Sequence, residues 1–146
     1  MTNLLDIVVE VIKVDEEQGK ESLESLIEFT NLFGEIWKGC AEKLIFVCSE
    51  VMKNKNFEDS TRESALEIIS SLAESHPKLL KDNKEHMKTQ FFPSLCVMMT
   101  KLDNEDDCEA WYAVEEEDLF VSNDIASHSA ESLERLVGKI GESMTI

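Results

Sequence analysis

Apolar residues recur at steps of three and four along most of this chain, and strand-like alternation is scarce. One stripe joins Leu23, Leu26, Ile27, Leu32, Phe33, Ile36 and Trp37, with Phe29 filling in, and predicts a helix with one core-facing side. A second runs through Ala41, Leu44, Ile45, Cys48, Val51 and Met52, with Gly34 and Gly39 bracketing the change of direction between the two. A third follows Leu66, Ile69, Leu72 and Ala73 and ends before Pro77, which cannot continue a helix without losing a hydrogen bond. Ser60 with Glu63 three residues on reads as a capping box at its start. A fourth aligns Met87, Phe91, Leu95, Met98, Met99 and Leu102, with Pro93 marking either a kink or the true start. Ile125, Leu133, Leu136, Val137 and Ile140 make the last. The opening NLLDIVVEVIKV is apolar on nearly every side and reads as a buried helix, although its Val and Ile content also suits a strand.

These stripes repeat. ESLESLIEFTNLFGEIWK overlays RESALEIISSLAESHPKLLK at an offset of 43, so that Leu23 meets Leu66, Leu26 meets Ile69 and Phe29 meets Leu72. AESLERLVGKIGE matches again at an offset of 67, an excess of 24 residues over one period. A period of this length belongs to paired helices of HEAT type, whose faces are buried only by stacking on neighbours. The expected fold is therefore all-α, a right-handed α-solenoid of about three HEAT-type helical hairpins with an acidic insertion. We place the repeats at about 20–56, 58–102 and an incomplete 122–146, with the insertion at 103–121.

Charge sharpens the picture at that insertion. The 146-residue chain has a formal net charge of −17. Twelve of its acids, and no Lys or Arg, lie between Leu102 and Glu134, so the rest carries only −5. DNEDDCEAWYAVEEED packs nine carboxylates around Trp111 and Tyr112. Mutual repulsion keeps such a run solvated. Two readings stand side by side. The carboxylates draw in Lys or Arg while the indole packs on alkyl stems or stacks on guanidinium, or the run keeps the protein soluble with Trp111 tucked against a helix. This balance argues against nucleic acid and anionic membranes, which want basic clusters. The longest apolar run, LIFVC, is far short of the roughly 20 residues of a spanning helix. MTNLLDIVVE lacks the positive start of a secretory signal. Cys40, Cys48, Cys96 and Cys108 form no CxxC pair and read as reduced thiols, the first three as small core residues.

Catalytic and metal chemistry find no footing. Asp103, Glu105 and Asp107 match the first positions of an EF-hand loop, but Cys108 replaces its glycine and Val114 its bidentate glutamate. His76, His86 and His128 lie far apart and form no HExxH. There is no glycine-rich phosphate loop and no GxSxG. No cofactor and no enzymatic activity are expected.

The C-terminal half carries a resemblance. Pro93, Leu95, Met98 and Met99 precede an acidic stretch with Trp111. A second acidic patch at Glu115 to Asp118 follows, then Ser122-Asn123 and Ser132-Leu133-Glu134-Arg135. Upstream stands RESALEIISSLAE. Over about residues 20 to 141 this order resembles the importin beta-three branch of the karyopherin-β nuclear transport receptors. The resemblance implies a curved HEAT array that moves between cytoplasm and nucleus and holds basic cargo proteins or localisation signals, with Ran-GTP as the other candidate partner. Carried onto this chain it assigns Asp103, Glu105, Asp106, Asp107, Glu109, Trp111, Glu115, Glu116, Glu117 and Asp118 to a basic-partner contact surface. A HEAT-type scaffold or adaptor, or a small acidic chaperone for basic proteins, is the alternative. A piece of about three repeats without polar caps is also expected to expose apolar end faces and to self-associate through them.

Overall fold

The computed structural model describes residues 2–100 and 125–141. Helix α1 (Thr2–Val14) and α2 (Glu16–Phe33) are joined by the single residue Asp15. Its carboxylate accepts the Gln18 amide at 3.1 Å and so caps α2. A 3₁₀ turn over Gly34–Gly39 leads to α3 (Ala41–Lys53), and α4 (Asp59–Ser75) follows. Pro77 opens the short α5 (Pro77–Asp82). One continuous helical path then runs through α6 (Lys84–His86), a π turn at Met87–Phe91 and α7 (Phe92–Met99). Helix α8 (Ile125–Ile140) ends at Gly141, whose φ of +82° suits a residue without Cβ. No strand occurs among the described residues.

The helices form two layers. α1, α3 and α7 lie in one, α2, α4 and α8 in the other, and the hairpins α1/α2, α3/α4 and α7/α8 stack in chain order. The period read from the sequence recurs in the helix starts. An offset of 43 carries Glu16 of α2 to Asp59 of α4 and Ala41 of α3 to Lys84 of α6. An offset of 67 carries the start of α4 to within one residue of the start of α8.

The core follows most of the predicted stripes. Every apolar position named for α3 and α4 is buried, and so are Met87, Phe91, Leu95 and Met98. Four expectations are corrected. Leu32 and Phe33 are 74% and 55% exposed, because α2 ends there and the 3₁₀ turn changes the phase. Trp37 is swung inward instead, and its Nε1 donates to the buried Thr30 hydroxyl at 3.1 Å. Helix α1 is not buried all round: Leu5, Val8 and Ile12 face the core while Ile7 and Val14 are exposed. Cys96 is exposed, unlike Cys40 and Cys48. The capping box is not made. Glu58 is the N-cap of α4, without a side-chain cap of its own, and its amide donates to Glu16 of α2 at 2.6 Å. Ser60 lies inside the helix, where its carbonyl accepts the Ser64 hydroxyl. At Pro93 the π turn resolves the choice between kink and start. The Phe92 amide reaches back five residues to the Met87 carbonyl, and Pro93 sits in the first turn of α7.

Close approaches fix the hairpins. A Cβ on Gly19 would lie 2.5 Å from the Ile12 Cα, and one on Gly34 would lie 2.4 Å from the His76 Nδ1. Gly19→Ala is therefore expected to destabilise the fold by about 1–3 kcal/mol through overpacking at the α1/α2 crossing. Gly138→Ala, in α8 with nothing within 4 Å of the added methyl, is expected to stabilise by about 0.5–1 kcal/mol. Urea denaturation of the two variants beside the parent checks both signs.

Candidate partner-binding face

All ten residues of the expected contact surface, Asp103 through Asp118, lie outside the described residues, as do Leu102, Ser122 and Asn123. The structure describes the two elements that hold the ends of this stretch. Helix α7 ends at Met99 and α8 begins at Ile125, and the two helices pack on each other.

The face made by α2, α4 and α8 is described. A groove of about 470 Å³ runs along it, with Lys20 and Glu24 on α2, Glu63 and Glu67 on α4, and His128 and Arg135 on α8. Glu63, Glu67 and Glu74 recur at steps of four and seven, which places them on one side of α4. Arg135 meets this row. Its Nη1 and Nη2 donate to the two Glu67 oxygens at 3.0 and 3.2 Å, and its Nε donates to Glu74 Oε1 at 2.9 Å. One guanidinium thus bridges two carboxylates a helical turn or more apart. At the other end of the groove His128 Nδ1 lies 3.0 Å from Glu63 Oε1. The hydrogen bond from Arg135, then its charge, holds the Glu74 carboxyl below its usual range, and the same two carboxylates raise Arg135 above its own. Sequence reasoning did not single out this network. The spacing on α4 signals a carboxylate row, but its partners lie more than sixty positions away along the chain.

Chemically, this arrangement fastens α8 to α4 and leaves carboxylates on the surface. No group of three or more His, Cys, Asp or Glu among the described residues is placed to hold a metal ion. No helix among them is long and apolar enough to cross a membrane.

The importin-repeat family pattern matches residues 54–146, from the end of α3 through the acidic run to the last residue. This chain belongs to the importin-repeat family. Importin subunit beta-3 of Saccharomyces cerevisiae (strain ATCC 204508 / S288c) is 30% identical over 120 residues, covering 81% of this chain and 11% of that protein. The crystal structure of Kap121p bound to RanGTP superposes on 96% of the chain with a TM-score of 0.82 at 25% identity. Kap121p bound to Nup53p gives 0.81 and Kap121p bound to Pho4p gives 0.80, each at 25% identity and over 96% of the chain. The chain spans 14% of each of those structures. The karyopherin-β resemblance and the all-α solenoid fold read from the sequence both stand.

The α4–α8 network has a pH signature. The Glu74 carboxyl is depressed in the folded state, so its contribution is present above the ordinary carboxylate value and is lost as pH falls through the depressed one. Stability should therefore fall on acidification from pH 5 downward, and Arg135→Ala should flatten that limb. The groups are partly exposed, so the loss at neutral pH is expected at about 1 kcal/mol or less. Denaturation midpoints of parent and R135A between pH 3 and 7 test this. Parallel acid limbs in the two proteins would contradict the linkage.

Proposed function

We propose that this chain acts as a HEAT-repeat segment of a nucleocytoplasmic transport receptor and holds a basic partner through its acidic, Trp-containing run. One observation carries the reading: the chain superposes on Kap121p over 96% of its length, in a protein whose structures are with RanGTP, Nup53p and Pho4p. The importin-repeat match also takes in the acidic run itself.

The mechanism is attraction followed by packing. Carboxylates at Asp103, Glu105, Asp106, Asp107, Glu109 and Glu115 to Asp118 draw a Lys/Arg-rich segment, and Trp111 supplies an apolar and π surface for its stems and guanidinium groups. Ran-GTP or a basic cargo signal is the partner class, and the site of action is the nucleus and cytoplasm. The role is binding and release, not catalysis.

Titration calorimetry with a Lys/Arg-rich localisation peptide, and separately with Ran loaded with GTP or GDP, tests this. Binding of the peptide or of Ran-GTP should weaken at least about tenfold when the run's acids are changed to Asn and Gln, and again on raising salt. Trp111→Ala should weaken it further by about 1 kcal/mol. Affinity that survives the neutralised run would move the contact to the helix faces and favour a scaffold or adaptor role. Equal, weak binding to any basic protein would favour an acidic chaperone.

A further inference from the structure

Four lysines gather at the corner that leads from α4 to α7. Lys78 and Lys81 lie on α5, Lys84 opens α6 and Lys88 falls in the π turn, and all four are exposed. Spacings of three and four put Lys78 beside Lys81, and Lys84 beside Lys88. None of the four has an ion pair or hydrogen bond with a described residue. Lys13, Lys38, Lys43 and Lys53, by contrast, each meet a carboxylate. Only Asp82 and Glu85 oppose the cluster within its own stretch, so the corner is net positive in a chain whose formal charge is −17.

The repeat shows that this charge is particular to one corner. The offset of 43 carries the Gly34–Gly39 turn onto it, and the buried Trp37 meets the buried Leu80. Lys38 meets Lys81, but Glu35 meets Lys78. In the first corner the Lys38 ammonium donates to Glu35 at 2.7 Å. In the second a lysine stands where that glutamate was, so Lys81 faces a like charge three residues away. Like charges at this spacing weaken a helix, and an anion laid across them removes the repulsion. The lysines do not hold the corner themselves. Leu79 and Leu80 pack it from below, and the Asn83 amide donates to the Leu79 carbonyl at 2.9 Å. Two acids of adjoining helices have partners of their own: Glu74 accepts from Arg135, and Glu42 lies 3.4 Å from His86.

We propose that this corner is a docking surface for a short acidic peptide segment, rich in Asp and Glu, of a partner protein. The cluster occupies about 15 Å of helical path. Beyond it come the carboxylates of α4. Screening confines the attraction to the corner, which suits a segment that ends there. A nucleic acid carries its charges much further and would run onto the acidic faces. The surface differs from the acidic run in position along the chain and in sign of charge, so it stands whether or not that run holds a basic partner.

A fluorescent Asp/Glu-rich peptide titrated with the full chain at low salt tests the proposal, with a single-stranded oligonucleotide and phosphatidylserine vesicles as competing anions. The peptide should bind saturably. Its affinity should fall at least about tenfold in the Lys78→Gln, Lys81→Gln, Lys84→Gln, Lys88→Gln variant and stay level when Lys20 and Lys55 are changed to Gln instead. The thermal midpoint of the fourfold variant should not fall. Lys78→Glu alone, which restores the pairing of the first corner, should weaken binding with the midpoint level or higher. Four results would overturn the proposal: no saturable binding, binding that survives the four substitutions, equal loss in the Lys20 and Lys55 variant, or tighter binding of the oligonucleotide or the vesicles than of the peptide. Concentration-dependent association of the chain that the four substitutions abolish would also overturn it, giving the corner to the acidic run of a second copy.

Discussion

The structure depends on α4 being buried from several sides at once. It packs on α2, on α3 and on α8, and eleven of its seventeen residues are buried. A helix so enclosed cannot carry large side chains all round. Its sequence answers with Ala65, Ala73 and a set of serines, which let neighbouring backbones approach. Of the buried hydroxyls, Ser64 and Ser70 donate to the carbonyls four residues back, at 2.9 and 3.2 Å, while the Thr61 Oγ1 has no hydrogen-bond partner. Arg62 is buried as well, and its Nε donates to the Met52 carbonyl at the end of α3 at 2.7 Å, with Asp59 beside Nη1 at 3.3 Å. A cation is thereby used to close one helix end while fixing the angle of the next. Because α4 belongs to the middle hairpin, both neighbours take their placement from it.

This arrangement explains how the array accommodates the extra residues before α8. The excess of 24 over one period falls between α7 and α8, yet α8 lies beside α4 as α4 lies beside α2. A stack of hairpins fixes the helices by their faces, not by the length of what joins them, so a long connection costs only a slowly growing closure entropy. The stacking face of α8 retains Ile125, Leu136 and Ile140 in the core, and its outer edge reaches α4 through Arg135.

Much of this was legible because helical burial is periodic. The stripes of α3, α4 and α7 transferred almost intact, and the offset of 43 recurred in the helix starts. What sequence missed was decided by partners distant in the chain. Ser60 and Glu63 had the spacing of a cap, but Glu16 of α2 reached the Glu58 amide and α4 began two residues earlier. Leu32 and Phe33 continued an apolar rhythm that the Gly34–Gly39 turn interrupts. The acidic run was legible as charge alone, since composition locates a carboxylate along the chain and not in space.

The electrostatics divide the carboxylates into two populations with different tasks. On the α2–α4–α8 face, Glu67 and Glu74 share the Arg135 guanidinium and Glu63 lies 3.0 Å from His128, so these carboxylates help to hold helices together. Outside Leu102 to Glu134 the chain is nearly balanced, at −5. The uncompensated charge therefore gathers in the one stretch that has no Lys or Arg of its own. A basic partner approaching the molecule meets its strongest attraction there, within the roughly 10 Å over which salt leaves such a field intact. Neutralising that run would then remove the attraction without touching the ion pairs that fasten α8, which is why binding and folding can be separated in this chain.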